Sequence, residues 1–258
     1  MTPTESSLNT HVRKYWEATP CGTGDPVTGT ATRGTREWFE RVEAHRYRVE
    51  PFIHAIAQFT RYHGNRLLEI GVGAGTDHLQ WARAGAECYG VDLTDAAINL
   101  TRDRLACYGL HSTLQRLDAE ILPFPDASFD VVYSWGVIHH SERPESIVAE
   151  AHRVLRPGGV FVGMVYARYS PAVCKVWIRH ALLRGRPWRS FADVVWDGVE
   201  SVGTKAYTDA EVRKLLGQFE KIELLRTITP YDTRGIPAVL SRFFPADWGW
   251  NIGFRAYR

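Results

Sequence analysis

The chain has 258 residues, of which 45% are hydrophobic, so it can bury the core of one α/β domain with additional segments. Its 31 Lys and Arg residues nearly balance its 29 Asp and Glu residues, and a formal net charge of +2 does not favour a nucleic-acid binder. No apolar run reaches the roughly 20 residues that span a bilayer, and the amino terminus lacks an apolar secretion signal, so we expect no stable membrane insertion.

The four cysteines lie far apart in the sequence. Cys21, Cys88, Cys107 and Cys174 form no CxxC pair, which argues against a zinc site and against a disulfide framework. We therefore predict a cytoplasmic protein without a metal site.

The N-terminal part divides into an arm and two helices. Residues 1–34 are rich in Thr, Gly and Ser, which predicts a poorly structured arm around an aromatic and charged island with Tyr15 and Trp16. From Thr35 apolar residues recur at helical spacing, and Pro51 divides this stretch into two helices. We expect residues 1–64 to form the arm and lid helices, and residues 65–258 to form the core.

Strands and helices alternate from Arg66 onward, which predicts a parallel sheet covered on both faces. Thr94 is expected to cap a helix that runs through Tyr108, because its hydroxyl can bond the free amides of the first turn. A second helix is predicted over Pro144 to Leu155, followed by a turn at Arg156 to Gly159. The predicted strands are Arg66 to Ile70, Glu87 to Asp92, around Thr113 to Leu117, Phe129 to Ile138 with its exit, and Val160 to Tyr166.

The C-terminal part departs from this alternation. Two further strands, Lys221 to Ile228 and Gly249 to Arg258, are predicted to close the sheet, and Thr208 with Glu211 forms a capping box on the helix before the first of them. The stretch between the fifth strand and Thr208 is too long for a simple crossover. We predict a helical cap at about 168–207, with helices near Pro171 to Leu183 and Ser190 to Val199.

A glycine-rich turn follows the first strand, in the sequence RLLEIGVGAGTD. Gly71, Gly73 and Gly75 stand at alternate positions after Glu69, and residues without a Cβ let the backbone take positive φ and approach a ligand. Asp92 ends the second strand roughly 20 residues later, where a carboxylate can grip a ribose. The pattern predicts a nucleotide-type ligand against the turn.

Two more pairs of residues fall at strand ends. Asp118 and Ala119 follow the third strand, and Ser134 and Trp135 follow the fourth. Because the crevice of an open α/β sheet lies outside the carboxyl ends of its strands, we expect all of these residues to line one site.

The segments EIGVGAG, VDLT, DAEILPFPDASFDVVYSWGVIHH and RVLRPGG, between Leu67 and Tyr166, together resemble the class I S-adenosylmethionine-dependent methyltransferases. The resemblance is to the small-molecule branch that includes the ubiquinone and menaquinone methylases. It implies an α/β fold with a doubly wound, Rossmann-like sheet of seven strands, the last of them antiparallel. The N-terminal helical lid and a cap inserted after strand five would be additions to that fold.

The resemblance also implies roles for single residues. The glycine turn and Glu69 would hold the methionine portion of S-adenosylmethionine, Asp92 the ribose hydroxyls, and Asp118 the exocyclic amine of adenine. Leu93 would pack on adenine and Ala119 would supply a backbone amide. The predicted cofactor residues are Glu69, Gly71, Gly73, Gly75, Asp92, Leu93, Asp118, Ala119 and Ser134.

The predicted reaction is transfer of a methyl group to a small-molecule acceptor, which could be anionic or aromatic. The sulfonium is already activated, so the protein must align the reactants and exclude water, and it needs a base only when the nucleophile carries a proton. His139 is the first choice for that base and His140 the second, because both follow strand four. Catalysis by proximity alone, or two histidines that are ordinary buried polar groups, are open alternatives. Substrate or lid residues are expected at Tyr15, Trp16, Trp135 and Tyr166.

Several other functions are weighed against this one. An NAD site would follow GxGxxG, whereas the spacing here is GxGxG. Attack on the aminopropyl chain of the same cofactor would release methylthioadenosine, and a non-catalytic binding partner would bind without turnover. A nucleic-acid methylase is disfavoured because SWGV stands where an NPPY-like tetrad is expected. The basic residues of the cap could be a solvated face or could meet a membrane, a carrier protein or, as we favour, an anionic group on the substrate.

Overall fold

The computed structural model describes residues 7–258, and in this part of the chain seven strands form a single sheet. The strands are β1 (Arg66–Ile70), β2 (Glu87–Asp92), β3 (Thr113–Arg116), β4 (Phe129–Trp135), β5 (Leu155–Tyr166), β6 (Lys221–Thr227) and β7 (Asn251–Tyr257). The helices are α1 (Ser7–Ala18), α2 (Asp25–Thr28), α3 (Arg36–Val49), α4 (Ile53–Ala57), α5 (Thr76–Arg83), α6 (Asp95–Ala106), α7 (Pro144–Val154), α8 (Pro171–His180), α9 (Phe191–Gly198), α10 (Asp209–Leu215), α11 (Pro230–Thr233) and α12 (Ala238–Ser241).

The strand order is β3-β2-β1-β4-β5-β7-β6. Strands β1 to β5 are parallel to one another, and β7 is antiparallel to both β5 and β6. Strand β1 lies in the middle of the sheet; β2 and β3 are added on one side of it, and β4 and β5 on the other. This change of side between β1 and β4 places a crevice at their carboxyl ends. The predicted seven-stranded α/β sheet with an antiparallel last strand is confirmed.

Both faces of the central strands are buried, as expected for a parallel sheet covered by helices. In β1, Leu68 packs into the core on one face and Leu67 into the core on the other. In β4, Val132 joins the first core, whereas Val131 and Tyr133 join the second. Because successive side chains point to opposite faces, this double burial explains the continuous apolar runs in the sequence.

The N-terminal arm differs from its prediction. Helix α1 occupies residues that the composition assigned to a poorly structured segment, while the first six residues of the predicted arm lie outside the described part. Val12 is buried on the inner face of this helix. The Asn9 amide and the Glu17 carboxylate form hydrogen bonds to residues that are distant in the sequence. Local propensity was a poor guide because these tertiary contacts hold the helix.

Strand β5 also differs from its prediction, because Arg156 to Gly159 belongs to the strand rather than to a turn before it. Here the backbone pairs with the end of the chain: the Gly158 amide donates to the Arg258 carbonyl, and the Arg258 amide donates to Gly159. The two strands that pair lie far apart in sequence, so no local signal announces the contact.

The predicted cap is present as α8 and α9, joined by a 3-10 turn at Leu182–Arg184. Ser170 and Ser190 cap the two helices through their hydroxyls, and Val173, Val194 and Trp250 form a small core beneath them. The short helices α11 and α12 were not predicted. Within residues 7–258, no helix combines the length and the apolar character needed to cross a bilayer.

Candidate active site

A cavity of about 990 Å³ opens at the carboxyl ends of the central strands. Helix α1 and the cap form its remaining walls. The volume is at the upper end of the range for ligand sites, so the cavity has room for more than one small molecule. The predicted site residues that line it are Trp16, Glu69, Gly71, Gly73, Asp92, Leu93, Asp118, Ala119, Trp135, His140 and Tyr166.

The glycine turn forms one edge of the cavity. Gly71 has a φ of 82°, and a Cβ there would lie 2.2 Å from the Val137 side chain. Gly73 has a φ of 54°, and a Cβ there would meet nothing within 4 Å. The first glycine is thus required by the close approach of Val137, which follows β4, whereas the second leaves bare backbone beside open space in which a ligand can lie.

Asp92 is fixed at the end of β2. Its Oδ1 accepts bonds from the Thr94 amide at 2.9 Å and the Thr94 hydroxyl at 2.8 Å, and its Oδ2 accepts from the Gly73 amide at 3.1 Å. Burial raises the pKa of Asp92, and these donors partly offset the rise. Oδ1 already accepts two bonds, so the one remaining acceptor position lies on Oδ2, where it can receive a hydroxyl group from the cavity.

Glu69 begins a chain of hydrogen bonds away from the cavity. Its Oε2 lies 2.9 Å from His78 Nδ1, and His78 Nε2 lies 2.8 Å from the Ser112 hydroxyl, which donates to the Cys88 carbonyl. Ser112 has no second proton, so His78 Nε2 must be the donor, and a neutral His78 ring then accepts at Nδ1.

The pKa directions of this pair agree with that assignment. Burial lowers the pKa of His78 to about 4, so the ring is neutral at physiological pH. Burial, followed by the charges of Asp77 and Asp92, raises the pKa of Glu69 well above its usual range. Glu69 is therefore protonated and donates to His78 while the cavity is empty.

A buried ion-pair network that the sequence analysis missed lies under the glycine turn. The Arg46 guanidinium lies 2.6 Å from Asp77 and 2.8 Å from Glu50, and the hydroxyls of Tyr47 and Tyr133 donate to Asp77. Burial alone would raise the pKa of Asp77, but the Arg46 charge and these donors outweigh it and hold it below its usual range. The network ties α3 to α5 and β4. None of its five side chains stands at a strand end, which is where the sequence pattern predicted the site.

Helix α1 closes the cavity over the end of β3. The Asn9 amide nitrogen lies 2.8 Å from Asp118 Oδ2 and 2.8 Å from Glu120 Oε1. At the other end of the helix, the Glu17 carboxylate accepts from the backbone amides of Asp95 and Ala96, at the N-terminus of α6. Bonds at both ends hold α1 across the cavity, which is the geometry of a lid.

The wall opposite the glycine turn carries a polar cluster where the cap meets β4 and β5. Glu200 has a φ of 55°, a conformation that costs energy for a residue with a side chain. Its carboxylate lies 3.2 Å from His140 Nε2 and accepts from the Tyr166 hydroxyl at 3.1 Å. His140 Nδ1 lies 3.1 Å from the Ser201 hydroxyl and 3.0 Å from the Thr204 hydroxyl. The sequence analysis did not identify Glu200, because only the folded cap brings it to the histidine.

The same cluster includes donor atoms that a metal ion could use, since His139, His140 and Glu200 each place one such atom within 4.8 Å of the others. Metal ligands converge at about 2 Å from a common point. The His140 ring and the Glu200 carboxylate already contact each other and the Ser201, Thr204 and Tyr166 hydroxyls. His139 adds no hydrogen bond to this group, because both of its buried ring nitrogens are without a partner among residues 7–258.

Among residues 7–258, four of the predicted site residues do not line the cavity. Gly75 begins α5 and packs against Thr101, the Ser134 hydroxyl donates to the Ile70 carbonyl inside the sheet, and Tyr15 is a partly exposed ring on the edge of Trp16. His139 is fully buried, and its ring stacks on Tyr166 with 3.9 Å between centroids. Burial, with the nearby His140 and Lys205, lowers the pKa of His139 well below its usual range. The positions of these four residues do not support the contacts that we predicted for them.

Comparison with known proteins agrees with this geometry. Residues 68–163 match the family described as "Methyltransferase domain". A fatty-acid O-methyltransferase of Mycolicibacterium smegmatis is 36% identical over 48% of this chain and 44% of its own length. A ubiquinone/menaquinone C-methyltransferase of Azotobacter vinelandii is 35% identical over 43% of this chain and 46% of its own length. The chain thus spans about half the length of these curated relatives.

A solved structure extends the likeness over the whole chain. The magnesium protoporphyrin IX methyltransferase of Synechocystis, crystallised with S-adenosylhomocysteine, superposes with a TM-score of 0.61 at 16% identity, covering 98% of this chain and all of that one. At this identity the likeness concerns the fold. The domain match and the two curated relatives show a methyltransferase domain at residues 68–163, and the chain is similar there to small-molecule methyltransferases.

Proposed function

We propose that this protein transfers the methyl group of S-adenosylmethionine to a small-molecule acceptor and releases S-adenosylhomocysteine. The observation that carries the proposal is the single cavity that runs from Asp92 and Asp118, past the glycine turn, to the cluster around Glu200. One end suits a nucleoside, and the other leaves space for a second molecule.

The residues that face the first end suit the cofactor chemically. The free acceptor position of Asp92 Oδ2 suits a ribose hydroxyl, and the Asp118 carboxylate, held by Asn9, suits the adenine amine. Leu93 would pack on the adenine ring, and the Ala119 backbone amide would bond its edge. The bare backbone at Gly71 and Gly73 would receive the methionine portion, and Glu69 its ammonium group.

The bound sulfonium supplies an electrophilic methyl group, and the chain's own residues align the acceptor with it. The α1 lid excludes water on the nucleoside side, and Trp135 and Tyr166 wall the acceptor side. Glu200 is the side chain best placed to take a proton from the acceptor, because both nitrogens of His140 already face protein groups. His140 then stabilises the carboxylate, a different role from the base that we expected at His139 or His140.

Replacing Glu200 with Gln will lower kcat by about a hundredfold for an acceptor that must lose a proton, because general-base catalysis typically contributes a factor of 10² to 10⁴. The amide keeps the size of the side chain and its bond from Tyr166. Turnover of S-adenosylmethionine with an acceptor found by screening measures kcat, and calorimetry with S-adenosylhomocysteine checks that the cofactor still binds. Glu142→Gln is the matched control, since Glu142 is exposed and does not line the cavity. An unchanged kcat in Glu200→Gln would contradict the role of Glu200 as a base and would show that alignment of the reactants is sufficient.

Binding of the cofactor will release a proton from Glu69. Below the raised pKa of Glu69 the empty site holds a neutral carboxyl group, whereas the ammonium group of the ligand favours the carboxylate. Affinity for S-adenosylhomocysteine should therefore rise as pH increases from about 5 toward that raised pKa, and level off above it. Calorimetry in buffers with different ionisation enthalpies counts the released protons. Glu69→Gln should abolish the release, and a wild-type protein that releases none would contradict the assignment.

The acceptor end favours an apolar or aromatic molecule that carries an anionic group. Met164, Val176 and Trp250 give it apolar surface, and the exposed Arg179 and Arg234 stand at its rim. Guanidinium groups bind carboxylates and phosphates through paired hydrogen bonds. Lys175 does not contribute to this rim, because its ammonium donates to the carbonyls of Tyr231, Asp232 and Arg234. The fatty-acid O-methyltransferase among the relatives is consistent with a carboxylate.

Product analysis separates this proposal from its alternatives. Incubation with S-adenosylmethionine and a panel of apolar acids, phenols and quinols should produce S-adenosylhomocysteine and a methylated acceptor. Methylthioadenosine would indicate attack on the aminopropyl chain, and tight binding without turnover would indicate a binding partner. A near-neutral charge argues against a nucleic-acid acceptor, and four free cysteines support the cytoplasmic location that we infer.

A further inference from the structure

The turn between α8 and α9 exposes an unusual amount of apolar surface. Leu183 and Trp188 are 76% and 77% exposed, and Ile178 and Leu182 are 38% and 47% exposed. Single exposed apolar residues need no explanation, but a contiguous group of them on one turn marks an interaction site. We call these four apolar residues, together with the exposed Arg184 and Arg186, the cap patch.

The charge around the cap patch has one sign. Residues 168–192 contain no Asp or Glu, although they include six Lys and Arg residues: Arg168, Lys175, Arg179, Arg184, Arg186 and Arg189. Internal contacts explain part of this set, because Arg168 pairs with Glu211, Arg189 pairs with Asp197, and Lys175 binds carbonyl groups. Arg184 and Arg186 have no such partner among residues 7–258, so their charges face solvent. The uncompensated charge favours an anionic partner.

The position of the cap patch links it to the cavity. Helix α8 has three faces. Val173, with Ala181 directly after the helix, lies in the cap core, and Val176 and Arg179 line the cavity. Ile178, the neighbour of Arg179 in sequence, is partly exposed. The 3-10 turn at Leu182–Arg184 continues the outward face, and Gly185, with a φ of 66°, ends it. Apolar surface therefore reaches from the tip of the cap to the rim of the cavity.

We propose that the cap patch docks on an anionic lipid surface. Leucine and tryptophan side chains insert shallowly at the boundary between headgroups and acyl chains, while flanking arginines contact lipid phosphates. A short turn that exposes apolar side chains and carries uncompensated positive charge beside them fits a bilayer surface, which is flat and yields to insertion. The docking is peripheral, and it does not depend on the reaction that the cavity performs.

Sedimentation with phospholipid vesicles tests this proposal with the full chain. The wild-type protein should bind vesicles that contain phosphatidylglycerol and bind pure phosphatidylcholine vesicles weakly, with binding that falls as salt increases. Arg184→Glu with Arg186→Glu should lower the partition coefficient for the anionic vesicles at least about tenfold, since each basic residue near such a surface contributes about a factor of five. Leu183→Ser with Trp188→Ser should lower it similarly.

Matched controls separate docking from general effects of charge or folding. Arg61→Glu with Arg102→Glu makes the same change of charge at exposed sites outside the cap and should bind as wild type does. Each variant should keep the wild-type Tm, because the substituted side chains are exposed. Quenching of tryptophan fluorescence by brominated phospholipid gives a second measurement, and the part due to insertion should disappear in Trp188→Phe.

Three results would overturn the proposal. The first is a wild-type chain that fails to bind anionic vesicles, and the second is undiminished binding by the two cap-patch variants. The third is retention of the wild-type chain by an immobilised acidic protein but not by vesicles, which would make the cap patch a protein-docking site. None of these results bears on methyl transfer, so failure here and failure of the proposed function are distinguishable.

Discussion

Asp77→Ala will lower the free energy of unfolding by about 3 kcal/mol, the low end of the range for breaking a buried ion pair. The substitution leaves the Arg46 guanidinium with Glu50 alone, and it removes the acceptor of the Tyr133 hydroxyl, which is fully buried in the sheet. The retained Glu50 contact is the reason that the cost stays at the low end. Denaturation with urea measures the effect.

The matched control for Asp77 is a surface pair of α3, the helix that carries its partner Arg46. Arg36 and Glu40 lie 3.0 Å apart, but both side chains are more than half exposed. Glu40→Ala should cost less than about 1 kcal/mol, because exposed ion pairs contribute little. Equal costs for Asp77→Ala and Glu40→Ala would show that the network under the glycine turn does not stabilise the fold as we infer.

Asp92→Ala will weaken binding of S-adenosylhomocysteine by about 2 to 3 kcal/mol, or about thirtyfold to a hundredfold, because it removes a charged acceptor of a ribose hydroxyl. Asp92 also accepts from the Gly73 amide, so part of the loss will come from a looser glycine turn. Asp92→Asn retains one carbonyl oxygen and should lose less. Calorimetry measures each affinity.

The control for Asp92 is its neighbour Asp95. This residue is exposed at the start of α6 and does not line the cavity, and among residues 7–258 its side chain has only a 3.4 Å ion pair with Arg116. Asp95→Ala should therefore leave cofactor affinity unchanged. Wild-type affinity in Asp92→Ala would remove that residue from the site.

The sheet was predictable from sequence because its signals are local. Apolar runs such as Arg66–Ile70 and Glu87–Asp92 are bounded by glycine, proline or acidic residues, and the hydroxyl of Thr94 marks the start of α6. The carboxyl ends of parallel strands lie at one edge of the sheet, so the sequence alone could place Asp92, Asp118 and Trp135 in one cavity.

The remaining features depend on contacts between distant parts of the chain. Side-chain direction separates neighbours: Trp135 faces the cavity, whereas Ser134 points to the opposite face of β4, and His140 lines the cavity while His139 is buried. Helix α1 is ordered by bonds from Asn9 and Glu17 to distant residues, and Glu200 reaches His140 only after the cap has folded. No local pattern carries this information.

A crystal structure with S-adenosylhomocysteine tests the central claim most directly. We expect a ribose hydroxyl on Oδ2 of Asp92, the adenine amine on Asp118 beneath the α1 lid, and the sulfur facing the space between Trp135 and Glu200. A ligand bound elsewhere, or a cavity that stays closed to it at saturating concentration, would contradict the account.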